Sequence, residues 1–171
     1  MITYVTGDAT WPVGDGPKVI AHIVNDEGRW GSGFVLALDK LSPVPRENYK
    51  DWHERHVDGW VGAYFELGYV GFARVRGSAD PSGSLVVANM IAQRGTGKDP
   101  DGRPCIRYGA LGRCLKYLGD GCSTSGETIH MPRIGAGLAG GDWNIIERLI
   151  IENVCAAGVP VTVYDLPHMA A

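Results

Sequence analysis

Nothing in the 171 residues approaches the run of about 18 apolar residues that a membrane-crossing helix needs, so no membrane association is expected. The opening MITYVTGDATW has no cationic segment leading into an apolar core, and a cytoplasmic location is the expectation. Basic charge is also scarce. With 16 Lys and Arg against 19 Asp and Glu, the net charge is -3, which offers no footprint for tight, sequence-independent binding of long nucleic acid. Cys105, Cys114, Cys122 and Cys155 include no close pair of CxxC type, so neither a zinc site nor a disulfide framework is expected and the four read as buried or incidental thiols. No Ser-His or Cys-His arrangement is recognisable, and no set of His, Cys or Asp has metal-ligand spacing, so neither a metal nor a cofactor is expected.

What the chain does have is a hydrophobic fraction of 44%, enough for a sizeable core, in a length that makes a single domain over residues 1–171 the expectation. Six short segments rich in β-branched residues read as strands: ITYVTG, KVIAHIVN, YVGFARVRG, SLVVANMIA, ETIHMP and VPVTVYDL. Between them GSGFVLALDKL, RENYKDWHERHV, IRYGALGRCLKYL and DWNIIERLIIENVCAA carry helical signals, the last with Trp143, Ile146, Ile150 and Val154 recurring at one-turn spacing. Strands such as VIAHIV are apolar on both faces, which suits a mixed or parallel sheet covered by helices on both sides, a three-layer α/β/α domain. The polar, turn-rich QRGTGKDPDGRPC reads as a mobile surface loop.

In such a sheet ligands sit outside the carboxyl ends of the strands, so the segments that follow strands carry the functional weight. After KVIAHIVN come Gly28, Gly31 and Gly33, either shaping a tight turn or leaving backbone N–H groups open to a phosphate. A second glycine loop, MPRIGAGLAGGDW, also lies between a strand and a helix, and two such loops make a clamp for one diphosphate. In it Asp142 is placed to cap the next helix, and Arg133 is equally suited to a phosphate or to neighbouring carboxylates. Asp8 ends the first strand, where it either caps a turn or accepts from an exocyclic amine. Asn89 and Gln93 suit sugar hydroxyls or loop backbone, and Asp26 and Glu27 are either positioning groups or solvated loop acids.

The order YVTGD, AHIVNDEGRWGSG, ANMIAQRG, MPRIGAGL and VTVYDL resembles a macrodomain nearly end to end, nearest to the branch holding the terminal ADP-ribose protein glycohydrolase and the antitoxin macrodomains that remove ADP-ribose from DNA. That resemblance implies an ADP-ribose pocket in an α/β/α fold with a central mixed sheet. It places Asp8 on the adenine amine, Tyr164 beside the adenine and Asn25 at the distal ribose. Around the diphosphate it places Gly31, Ser32, Gly33 and Phe34 together with Gly135, Ala136, Gly137 and Leu138. Ala9, Ala92, Pro132, Ile134 and Leu166 complete the expected lining.

Two positions depart from that branch, which uses a lysine in the ANMIAQ segment as nucleophile and an acid just after the GAGL loop. Here they are Gln93 and Ala139. A glutamine cannot form a Schiff base, which closes a covalent lysine route and leaves Lys98 as a weak substitute. A water positioned by Asn25, Asp26 and Gln93 is the alternative, and a carboxylate leaving group makes ADP-ribosylated Glu or Asp the easier substrate. The expectation is a monomeric hydrolase of mono-ADP-ribosylated proteins, with ADP-ribosylated DNA as a second target. Its rivals are a non-catalytic ADP-ribose-binding module and an ADP-ribose 1″-phosphate phosphatase.

Overall fold

The computed structural model describes residues 1–168, so the last three residues of the expected domain lie outside the described part. All six expected strands form: β1 (Ile2–Thr6), β2 (Lys18–Asn25), β3 (Val70–Arg76), β4 (Leu85–Lys98), β6 (Thr128–Pro132) and β7 (Val161–Asp165), with a further short β5 (Pro104–Ile106). They make one seven-stranded sheet in the order β1-β7-β6-β2-β4-β3, with β5 paired to β4. Neighbours run parallel except for β3 and β5, each antiparallel to β4, so the sheet is mixed and its parallel strands end on one common edge.

Helices cover both faces, as the two-sided apolar strands require. Helices α1 (Val35–Leu41) and α2 (Val44–Val57) lie on one face, where Ile20, Leu38, Ala73, Leu85 and Val87 form a core cluster. The other face carries α3 (Tyr108–Ser125) and α4 (Trp143–Asn153), packed on the larger cluster around Met90, Leu111, Leu115, Ile129, Met131 and Ile146. Asp142 caps α4, its side chain accepting from Asn144 N–H at 2.8 Å, and Gly126 ends α3 in the left-handed conformation. All four cysteines are unpaired, and Cys105, Cys114 and Cys122 are buried. No helix among the described residues is long and apolar enough to cross a membrane.

The expected surface loop QRGTGKDPDGRPC is instead the outer half of a hairpin. β4 continues to Lys98, and β5 folds back on it with Gln93 opposite Ile106 and Lys98 opposite Pro104. Arg107, just after β5, reaches along the hairpin to its turn, pairing with Asp99 and donating to the Pro104 carbonyl at 2.7 Å.

Two buried histidines make stability depend on acid. Burial lowers the His22 pKa from 6.5 to about 4 despite its bond with Asn89 Oδ1. Burial and the nearby Lys18 charge lower His130 likewise to about 4. The unfolded chain binds these protons near pH 6.5 and the folded chain only near pH 4. Their contribution is therefore complete above the unfolded value and is lost as the pH falls through that window, by up to about 1.4 kcal/mol per pH unit and histidine. Urea midpoints at pH 7.5 and 5 should differ accordingly, and equal midpoints would exclude this account.

Candidate functional site

The carboxyl ends of β1, β2, β4, β6 and β7 bring the loaded segments to one edge of the sheet. After β2 the chain makes a turn built around Asn25, which is 7% exposed. Its Oδ1 accepts from Glu27 N–H at 3.0 Å, Arg29 N–H at 3.1 Å and the Tyr49 hydroxyl at 2.9 Å, while Nδ2 donates to the Arg29 carbonyl at 2.7 Å. An amide oxygen with three donors is full. Asn25, expected at the distal ribose, therefore spends its side chain on folding the loop, with one amide hydrogen to spare.

The turn delivers Gly31, Ser32 and Gly33, all exposed, followed by the half-buried Phe34. Gly33 sits at φ +78°, and a Cβ there would lie 3.3 Å from Leu138 of the second loop. The two loops thus face each other directly. Among the described residues, the backbone N–H groups of Gly31, Ser32, Gly33 and Phe34 reach no acceptor in the protein, nor do those of Gly135, Gly137, Leu138 and Ala139. Unengaged donors on two neighbouring loops are able to cradle anionic oxygens.

The second loop is rigidly seated. Gly135, at φ +71°, lies where a Cβ would come within 2.5 Å of Ile106 Cδ1 and 3.0 Å of Ile23 Cδ1. Ile106 N–H donates to the Ala139 carbonyl at 3.3 Å, and the Tyr108 hydroxyl accepts from Asp142 N–H at 2.9 Å. Gly31 and Gly137 are different, since nothing lies within 4 Å of a Cβ added at either. Leu138 projects from the loop at 73% exposure, and Ala136 and Pro132 are half-buried beside it. Ile134, Ala92 and Ala9, expected in the lining, are buried and support the edge as packing beneath it.

Arg133 is not aimed at the cradle. It forks onto Asp165, with Nε to Oδ1 at 2.6 Å and a second nitrogen to Oδ2 at 2.9 Å, and lies over the Tyr4 and Trp143 rings. Each partner shifts the other in the direction of its charged form, raising Arg133 and lowering Asp165. The choice left open between phosphate and carboxylate falls to the carboxylate.

At the far end Asp8 does cap a turn. Its Oδ1 accepts from Thr10 N–H at 2.8 Å and from the Thr10 hydroxyl at 2.7 Å. Oδ2 has no partner among the described residues and remains for an amine. Gly7 N–H donates to the Asp165 carbonyl at 2.9 Å, which extends the β1–β7 pairing up to Asp8, and Leu166, the residue after β7, is exposed. Tyr164 is buried, and its hydroxyl accepts from Val13 N–H at 2.9 Å and bonds His130 Nδ1 at 2.8 Å. The tyrosine expected by the adenine is thus the prop beneath the loop after β1.

Asp26 and Gln93 meet at one residue. Asp26 Oδ1 accepts from Gly95 N–H at 2.7 Å, and Gln93 Nε2 donates to the Gly95 carbonyl at 2.9 Å. The second oxygen of Asp26 and Oε1 of Gln93 have no partner among the described residues. Asn89 is fully buried between His22 and the Pro45 carbonyl, a core amide rather than a sugar ligand. Sequence reasoning missed Tyr49, Gly95 and Tyr108. Each acts on a loop far away in the chain, and the one local signal was a lone tyrosine in the polar helix RENYKDWHERHV, which was not drawn upon.

The molecule is thus an α/β/α domain with two neighbouring glycine loops at the carboxyl edge of its sheet, and comparison with known proteins identifies its class. No protein-family model matches the chain. It is 31% identical over 174 residues to a chromodomain-helicase-DNA-binding protein 1-like of Mus musculus, covering 99% of this chain and only 18% of that protein. Among solved structures it is similar to a protein of unknown function from Bacteroides thetaiotaomicron, at 46% identity and a TM-score of 0.87 over 97% of this chain and 98% of that one. A macrodomain protein from Streptomyces coelicolor is 41% identical, with a TM-score of 0.77 over 96% and 99% of the two chains. In fold alone it is also similar to Thermosipho africanus DarTG in complex with ADP-ribose, at 16% identity and a TM-score of 0.69 over 97% of this chain and 41% of that one. The chain belongs to the macrodomain family.

Proposed function

We propose that the protein binds ADP-ribose and, acting as a monomer, hydrolyses it from mono-ADP-ribosylated acidic side chains. The observation that carries this reading is the pair of facing glycine loops with eight unengaged N–H groups among the described residues. A diphosphate bridging them would satisfy both sets at once. Asp8 Oδ2 is then the acceptor for the adenine amine, and the DarTG complex with ADP-ribose, alike in fold, supports the same choice of ligand.

The chemistry asked of the protein is modest. Water attacks the anomeric carbon, a new C–O bond forms, and the bond to the acyl oxygen breaks with its electron pair leaving on the carboxylate. Asp26 Oδ2 and Gln93 Oε1, both without a partner among the described residues, would accept hydrogen bonds from that water and orient it, and the Asp26 carboxylate would take up its proton, aided by the phosphate oxygens of the substrate. Because Gln93 offers no amine, no covalent adduct forms.

The occupied side chain of Asn25 favours a second reading, a module that binds ADP-ribose without turning it over. A release assay on Glu-linked and Ser-linked substrates, with intact-mass spectrometry and a parallel titration with ADP-ribose, separates the two. The expected result is release from the Glu-linked substrate alone, with no mass adduct. Binding without release at high enzyme concentration would establish the module, and release of inorganic phosphate from ADP-ribose 1″-phosphate would establish the phosphatase.

A further inference from the structure

We infer that Tyr49 is a positioning residue for ADP-ribose, shaping the first glycine loop through Asn25 so that its N–H groups are aimed before the ligand arrives. This rests on the ADP-ribose reading above. Tyr49 is 0% exposed, and its single hydroxyl proton is shared between the Asn25 carbonyl at 2.8 Å and Asn25 Oδ1 at 2.9 Å. Burial holds the hydroxyl well above its ordinary pKa, so it stays a donor. Glu27 and Arg29 donate to the same Oδ1, so one tyrosine proton and two loop amides converge on one atom.

Neighbouring residues on α2 extend the same grip. Lys50 Nζ donates to the Gly28 carbonyl at 2.7 Å, and His53 lies where a Cβ on Gly28 would come within 2.4 Å of its Nδ1. Gly28 is therefore pressed against α2 by steric necessity, and Tyr49 and Lys50 hold the loop there by hydrogen bonds. The Tyr49 ring has a separate task, packing against Trp30 and Phe65 with centroids 5.5 Å from each. Ring and hydroxyl can thus be separated by experiment. A loop already in its bound shape binds without the entropic cost of ordering, and that advantage applies only to the part of the ligand the loop touches.

The test is Tyr49→Phe in the full chain, which keeps the ring and deletes the shared proton. Calorimetry with ADP-ribose should show about a tenfold loss of affinity, equivalent to about 1.4 kcal/mol. Adenosine, which has no phosphate for the loop to hold, should bind as it does to the wild type when titrated by NMR. In the ligand-free protein, hydrogen exchange should accelerate at the Glu27 and Arg29 amides and stay unchanged in β2 and β4. Unchanged ADP-ribose affinity overturns the inference. So does an equal loss for adenosine, exchange that accelerates throughout the sheet, or a variant that does not fold, since each would make Tyr49 a general core residue. A wild-type protein that fails to bind ADP-ribose overturns the functional reading instead, and is seen in the same titration before any variant is compared.

Discussion

Gly137→Val should abolish measurable ADP-ribose binding, a loss of roughly a hundredfold or more, while leaving the melting temperature nearly unchanged. The backbone at Gly137 is not in the left-handed region, and nothing lies within 4 Å of an added Cβ, so a valine enters open space without strain. On the proposed reading, that space is where the diphosphate enters. Losing two charge-assisted bonds from N–H to phosphate, each about 1.5–3 kcal/mol, accounts for the size of the effect. Gly135→Ala is the contrasting case, because its Cβ would be 2.5 Å from Ile106 Cδ1 at φ +71°. Overpacking and a left-handed alanine together cost about 2–4 kcal/mol, which lowers the melting temperature by about 5–15 °C in a chain of this size. Calorimetry with ADP-ribose and thermal melts on both variants check the pair. Full affinity in folded Gly137→Val would place the diphosphate elsewhere. Gly33→Val would decide less, since Gly33 itself has φ +78° and a valine there disturbs turn and ligand together.

Asn25→Ala should lower stability and affinity together. It strips Glu27 N–H, Arg29 N–H and the Arg29 carbonyl of their partner and leaves the Tyr49 hydroxyl only the main-chain acceptor. For a residue that is 7% exposed this is worth about 2–4 kcal/mol, or about 5–15 °C of melting temperature. The glycine loop then enters at a wandering angle, and ADP-ribose affinity should fall by about tenfold or more. Melts and titrations on the purified variant test this. A fall in release rate with stability and affinity intact would return Asn25 to the water-positioning role first expected of it.

The strands were legible because their apolar runs end at Gly, Pro, Asp or Ser, and the two-sided burial of β2 announced helices on both faces. The hairpin of β4 and β5 was not. Gly95 and Gly97 carry positive φ values inside the strand, and the register shifts between its two pairs, Gln93 with Ile106 and Lys98 with Pro104, so its polar, glycine-rich sequence reads locally as loop. Helix α3 likewise runs past Gly119, which resembles a stop signal. The reason is a close approach: a Cβ there would sit 2.3 Å from the Asn153 carbonyl, so the glycine admits the end of α4. At the site, the Asp142 cap follows a local rule and was readable. The commitments of Arg133 and Asn25 were not, because Asp165 and Tyr49 lie 32 and 24 residues away in the chain.

The fork of Arg133 on Asp165 leaves the second glycine loop without a cation of its own, since Ile134 to Gly141 contain neither lysine nor arginine, and the one arginine of the first loop, Arg29, is paired with Glu27 at 3.1 Å. Such a cradle recognises oxygens by where they are, not by how much charge they carry. Ordinary cellular polyanions, which crowd any basic pocket, gain little here, and a ligand must span both loops to be held. The sieve is one of shape, and raising the ionic strength should do little to blunt it.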